Sequence, residues 1–175
     1  MGQIAPHEMG KLICGIISRP DRLDEAVSRL QRAFGKADFV SERISFVYTD
    51  YYQEEMGSGL ERQFLAFAQR IKPEQLAAIK LRTNRLEQRW FSANAKRQVN
   101  IDPGYLTPAK LVLATTKDHQ HRLYLGRGIY AEVTLRYRHH TFTHWDWTYP
   151  DYRTPEYIAI FNALRERLLK ERTPR

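Results

Sequence analysis

The chain has one cysteine, no apolar run long enough to span a membrane and no phosphate-binding loop, and each absence closes a class of function. Cys14 cannot form an internal disulfide, and its place inside an apolar run marks it as a small core residue rather than a nucleophile. The longest apolar run lies near Leu12–Ile17, far short of the roughly 20 residues that cross a bilayer. The opening MGQIAPHEMGKL lacks a basic-then-apolar signal pattern, and Pro6 stands where a myristoylation motif needs Ser or Thr. The expectation is a soluble protein of the reducing cytoplasm, with no membrane partner. No Gly-x-x-x-x-Gly-Lys-Ser/Thr loop occurs. In Thr115-Thr116-Lys117-Asp118 the Lys and Asp are adjacent, where a guanine-recognition box needs one residue between them. P-loop GTPase chemistry is rejected on both grounds.

What is present suffices for a packed domain. Hydrophobic residues make up 42% of the 175 positions and aromatics 12%, enough for a sizeable core. The formal net charge of +8 invites an anionic partner. Near the C-terminus, Arg165, Arg167, Lys170 and Arg172 alternate with Glu166 and Glu171, the pattern of a solvated helix face. Lys80, Arg82, Arg85, Arg89, Lys96 and Arg97 have fewer acidic neighbours and form the better candidate for a basic patch that could bind RNA.

The pattern of elements predicts an α+β fold. Lys11–Ser18 reads as a buried strand. Pro20 opens a helix with Leu23, Ala26, Val27, Leu30 and Phe34 in register, closed by Gly35. Ser45–Tyr52 alternates and reads as a strand, as do Gln63–Ala68 and Gln98–Asp102. Between the last two, Pro73–Trp90 is a helix with Leu76, Ile79, Lys80, Thr83 and Leu86 in register. That is β-α-β-β-α-β, the split βαβ or ferredoxin-like order. A second, similar half is expected: a helix at Thr107–Thr116 behind a Thr-Pro cap, strands at His121–Leu125 and Ile129–Arg138, and a last helix from Thr154-Pro155. A largely antiparallel sheet covered by helices follows, as one domain over residues 11–170 with half-domains 11–97 and 98–170 between tails 1–10 and 171–175.

The polar residues suggest a site. Asn100 and Asp102 share a strand face and run into Pro103-Gly104, which reads as a turn. Asp50 ends the second predicted strand beside Tyr51 and Tyr52. Carboxylates at strand ends from distant parts of the chain can converge on magnesium. In Ile129–Arg138, Tyr130 and Glu132 share one face and read either as a solvated face or as the wall of a cleft. Five of six histidines fall between His119 and His144. Neither a cysteine nor a His-Glu-x-x-His accompanies them, which argues against zinc. The lone His-x-Thr at His139 and Thr141 is similar to one half of the two-histidine phosphoesterase signature, and the other half is missing.

The phrases YTDYYQEEMG, IKLRTNRLE, VNIDPGYL, KLVLATTKD, HRLYL, GIYAEVTL and WTYPDY, in that order from about Lys11 to Phe161, resemble a bacterial family catalogued only as a domain of unknown function. Its members are sometimes labelled GTP-binding proteins. The resemblance brings no activity, cofactor or catalytic residue. It implies that Asp50, Tyr51, Asn100, Asp102, Gly104, Lys117, Asp118, Tyr130, Glu132 and Asp151 belong to the family's characteristic phrases, while His139, His140 and His144 lie outside them.

The leading expectation is a polar cleft for a small phosphorylated or nucleotide-like ligand. Asp50, Asp102 and Glu132 would act as metal or hydroxyl contacts, catalytic if a metal-assisted phosphoryl transfer or hydrolysis takes place. Lys117 and Arg122 would contact the anion, with Tyr51, Asn100 and Tyr130 around it. The alternatives are an RNA-binding module on the Lys80–Arg97 patch and a non-catalytic interaction protein. The first expectation requires Asp50, Asp102, Lys117 and Glu132 to come within about hydrogen-bond or one-water reach of a common point.

Overall fold

The fold grows outward from β1 (Gly10–Ser18), which is buried along its whole length. In the computed structural model the described residues are 2–3, 7–93 and 96–171, with the side chains of Asp50 and Ala93 outside the description. After β1 come α1 (Pro20–Phe34), β2 (Ala37–Val40), β3 (Ile44–Ser45), a 3-10 turn at Asp50–Tyr52, α2 (Gln53–Met56) and β4 (Glu61–Ile71). A 3-10 turn at Pro73–Gln75 leads into α3 (Leu76–Trp90), and β5 (Ser92–Ala93) and β6 (Lys96–Arg97) form a minimal hairpin. The second half is β7 (Val99–Leu106), β8 (Lys110–Thr115), β9 (Leu123–Gly126), β10 (Ile129–Arg138), β11 (Thr141–His144) and α4 (Pro155–Lys170).

Among the described residues one nine-stranded sheet runs β11-β10-β8-β7-β1-β4-β2, with β3 added to β4 and β9 to β10. All its pairings are antiparallel. Strand alternation sends Leu12, Cys14 and Ile16 to one face, where they pack with Leu65, Phe67, Val99 and Ile101 under α1 and α3. Ile13 faces the other way and joins Phe64, Ala66, Leu106 and Leu111 under Tyr157, Phe161 and Leu164 of α4. Ile17, further along that second face, packs with Phe46, Met56 and Leu60. No helix among the described residues is long and apolar enough to cross a membrane.

Several sequence expectations need correction. Thr107–Thr116 is not a helix. Thr107 turns the hairpin, its N–H donating to the Lys110 carbonyl (2.9 Å), and β8 follows. The Thr-Pro pair mimics a helix start, but Leu111 and Leu113 alternate with Val112 and Ala114 across a two-faced sheet, and that period wins. The second half is therefore five strands and one helix, not a copy of the first.

Ser45–Tyr52 is not a strand either. Only Ile44–Ser45 pairs with β4, and the aromatics beyond fold over Ile17 as a loop. Asp102-Pro103-Gly104 is no turn but the middle of β7, which pairs with β1 along its whole length and with β8 from Gly104 onward. β2 and β11 were not anticipated, and His139 and His140 (φ 52° and 63°) turn the β10–β11 hairpin.

The last helix forms as read. The Thr154 hydroxyl caps α4 by accepting from the Tyr157 N–H (3.3 Å).

Candidate functional site

β7 and β8 begin as a tight hairpin and then part. They pair only over Gly104–Leu106 and Leu111–Leu113. The ladder ends at Pro103, which has no N–H to continue it. β8 leaves with β10, while β7 stays on β1. The exposed main chain of Ile101 is satisfied from α3: its N–H donates to Glu87 Oε1 (2.6 Å), and Lys80 Nζ donates to its carbonyl (2.8 Å). A cavity of about 520 Å³ opens in the fork.

One wall carries Asn100 and Asp102, the other Thr115, Thr116 and Lys117 beyond Leu113. Tyr48, Tyr51, Tyr52 and Tyr149 surround the mouth.

At the floor lies a buried charge cluster. Arg62 projects from β4 and reaches across β1 to β7, donating from Nη1 to Asp102 Oδ2 (3.2 Å) and from Nη2 to Asp151 Oδ2 (2.9 Å). The crossing is open because β1 has Gly15 there; a Cβ would fall 2.7 Å from Arg62 Nη1. The amide of Asn100 donates to Asp102 (2.8 Å) while its oxygen accepts from Arg97 Nη1 (2.8 Å). Lys80 Nζ stands 3.9 Å from the second Asp102 oxygen. Arg62 Nε is buried and makes no hydrogen bond among the described residues.

The two carboxyls bridged by Arg62 titrate in opposite directions. Burial pushes the Asp102 carboxyl up, but Lys80, Arg62 and the Asn100 amide outweigh it and hold it below the ordinary aspartate range. Burial lifts Asp151 above that range despite Arg62, and the charge of Asp102 adds to the rise. A carboxylate that stays ionised beside a carboxyl that holds its proton longer is the arrangement acid–base chemistry uses. Burial also pushes the Cys14 thiol up, which fits a core residue.

The fork gathers Tyr51, Asn100, Asp102, Lys117, Arg122 and Glu132 of the expected residues. Their tasks differ from the expectation. Glu132 Oε2 accepts from Arg122 Nε (2.9 Å) and lies 3.1 Å from His121 Nε2, and Thr134 Oγ1 donates to Oε1 (3.4 Å). Arg122 Nη1 donates in turn to the Lys117 carbonyl (3.0 Å). This buried pair fixes the loop after β8 and leaves Glu132 little capacity to ligate metal. Tyr130 stands outside the cavity, against Tyr124 of β9 at 5.2 Å. The Asp50 side chain lies outside the described residues. Among those described, no three His, Cys, Asp or Glu side chains group to hold a metal ion.

Lys117 sits at the mouth with Nζ 4.1 Å from the Tyr51 ring centroid, and makes no ion pair among the described residues.

Arg62, Lys80, Arg97 and Asp151 were not singled out as site residues. Lys80 did carry a signal, a lysine in the apolar register of a helix. Arg62 fell one position before the strand read at Gln63–Ala68.

A family model described as a domain of unknown function, DUF4416, matches residues 8–168. The chain belongs to that family. No curated protein and no solved structure matches it.

Proposed function

We propose that the chain binds a small phosphorylated, nucleotide-like ligand in the fork between β7 and β8. The observation that carries this reading is the charge of the lining. Arg62, Lys80, Arg97, Lys117 and Arg122 line the fork with Asp102, Glu132 and Asp151 among the described residues, and Arg97 also meets Glu55 (2.9 Å) and Glu87 (3.5 Å) outside the lining. Lys117 is the lining cation that meets no carboxylate among the described residues, and a cation so placed at the mouth of a partly buried cavity attracts an anion. Tyr48, Tyr51 and Tyr149 offer flat faces for a base or another ring, and the volume suits a ligand of nucleotide size. For a hydrolytic or phosphoryl-transfer reaction the carboxyls in place are Asp102 and Asp151. Magnesium would then arrive on the ligand's phosphates rather than on a carboxylate cluster of the protein.

The RNA-binding alternative has weaker support. Lys80 and Arg97 turn into the fork, Arg82 lies over Phe34 (5.0 Å) and Arg89 over Trp90 (5.1 Å), so the patch disperses. We also read β1–α1–β2–β4–α3–β7 as a ferredoxin-like unit, supported by the antiparallel order β7-β1-β4-β2.

A thermal-shift series with AMP, GMP, ribose 5-phosphate and inorganic phosphate, with and without magnesium, tests the reading. A compound at ~100 times its Kd adds about 2.7 kcal/mol and raises Tm by a few degrees. The shift should disappear in Lys117→Glu. No shift with any of these compounds, or an equal shift in Lys117→Glu, would overturn the reading.

A further inference from the structure

Beside the fork lies a second hollow of about 420 Å³, lined by His119, Gln120, Asp146 and Trp147 and sharing Arg122, His121's neighbour in sequence, and Tyr149 with the site's rim. One wall is a ladder of nearly parallel rings. His119 faces His121 (centroids 5.9 Å, planes 5° apart), His121 faces Trp147 (5.4 Å, 14°) and Trp147 faces Trp145 (4.9 Å, 8°). The Arg136 guanidinium closes the inner end, 3.9 Å from the Trp145 ring centroid.

The ladder is held from behind. His121 is anchored on Glu132 (3.1 Å), and Trp147 Nε1 donates to the Val133 carbonyl (3.4 Å). Core packing accounts for the half-buried rings of His121 and Trp145 but not for the outer end, where His119 is exposed, nor for Trp147, which is 39% exposed although a ring lies on each of its faces. A fixed stack with an open end is a surface on which another flat ring gains dispersion and π contact at little ordering cost. Gln120 and Asp146 on the same hollow supply an amide and a carboxylate for ring substituents. Arg122 stands at the junction of the two hollows, its plane fixed by Glu132 and the Lys117 carbonyl.

We infer that this second hollow is a ring-binding subsite of the same site. The ligand class it selects carries two ring systems joined through phosphate, a dinucleotide rather than a mononucleotide. The linking phosphate passes Arg122 while one ring rests on the open His119 end of the ladder, which His121 and Trp147 hold in place from behind. This inference rests on the fork binding a phosphorylated ligand.

The test is calorimetric titration of the full chain with AMP, GMP, CMP and UMP and with the four matching dinucleoside monophosphates. Each titration is repeated in His119→Ala and Trp147→Ala; the first removes an exposed ring whose loss should leave folding intact. The expected result is at least one dinucleotide binding about ten-fold more tightly than its mononucleotide. That gain should be lost in both variants while mononucleotide affinity is unchanged. Mononucleotide binding with no dinucleotide gain, or a gain that survives both substitutions, overturns the subsite alone. Absence of binding by all eight compounds overturns the fork reading as well.

Discussion

The same four strands build two different surfaces on one face of the sheet. Under α4, β1, β4, β7 and β8 present Ile13, Phe64, Ala66, Leu106 and Leu111 to Tyr157 and Phe161. A few residues away the same strands present Gly15, Arg62, Asp102 and Thr115 to the fork. The covered end obeys ordinary packing, with apolar side chains in contact and little buried charge. The open end buries an arginine between two carboxyls, an arrangement that desolvation makes a weak source of stability. A fold needing only stability could continue the apolar face along these strands. The difference supports the proposal that the fork is the site.

The largest effects should separate the two ends by mechanism. Phe161→Ala should cost about 3–5 kcal/mol through cavity formation, with little dependence on pH. Arg62→Ala should cost about 3–5 kcal/mol by leaving Asp102 and Asp151 buried without their cation. Its penalty should shrink on acidification, as those carboxyls protonate. Chemical denaturation of both variants across a pH series reads the contrast directly. Equal pH dependence in the two would break it.

Gly15→Ala should come next, at about 1–3 kcal/mol, because the added methyl collides with Arg62 Nη1 on its way across β1. The displaced guanidinium should also weaken binding in the fork, which calorimetry would register.

A smaller effect concerns the sign of the pH response. Because burial raises Asp151, the folded chain holds this proton more tightly than the unfolded chain. Its contribution to stability therefore grows as pH falls through its folded pKa and is complete below the ordinary aspartate value. Asp102 is opposite: burial is outweighed by Lys80 and Arg62, so its contribution is present above the ordinary value and lost as pH falls through its lowered one. Wild type should gain stability relative to Asp151→Asn just above the ordinary aspartate value, and lose it relative to Asp102→Asn below that value. Melting curves over that range would show the two slopes.

Smallest in stability and largest in function is Lys117→Ala. Loss of an exposed lysine that makes no ion pair among the described residues should change stability by no more than about 0.5 kcal/mol, yet remove most of the response to phosphorylated compounds.

The legible parts of the sequence were those governed by local rules. β1, α1, α3, β10 and α4 follow from apolar period, proline at helix starts and the Thr154 cap. The β8 segment misled because Thr107-Pro108 satisfies helix-start chemistry, while the deciding influence, neighbours on both faces of a sheet, is not local. For the site, Asn100, Asp102, Lys117 and Arg122 could be guessed as polar residues near element ends. The Arg62 crossing could not, because it depends on β4, β1 and β7 lying side by side with Gly15 between the charges. Glu132 read either as part of a solvated face or as the wall of a cleft, and the fold buries it against Arg122 and His121. A single sequence does not say whether a buried carboxylate faces a ligand or an arginine.

The most direct measurement is an NMR titration of the isotopically labelled chain with AMP, following backbone amides. Binding in the fork should perturb Asn100, Ile101, Asp102 and Thr115–Lys117 together, with helix α3 beyond Lys80 unmoved. Perturbations confined to Arg82–Trp90, or scattered with no cluster at the fork, would contradict the assignment of the site.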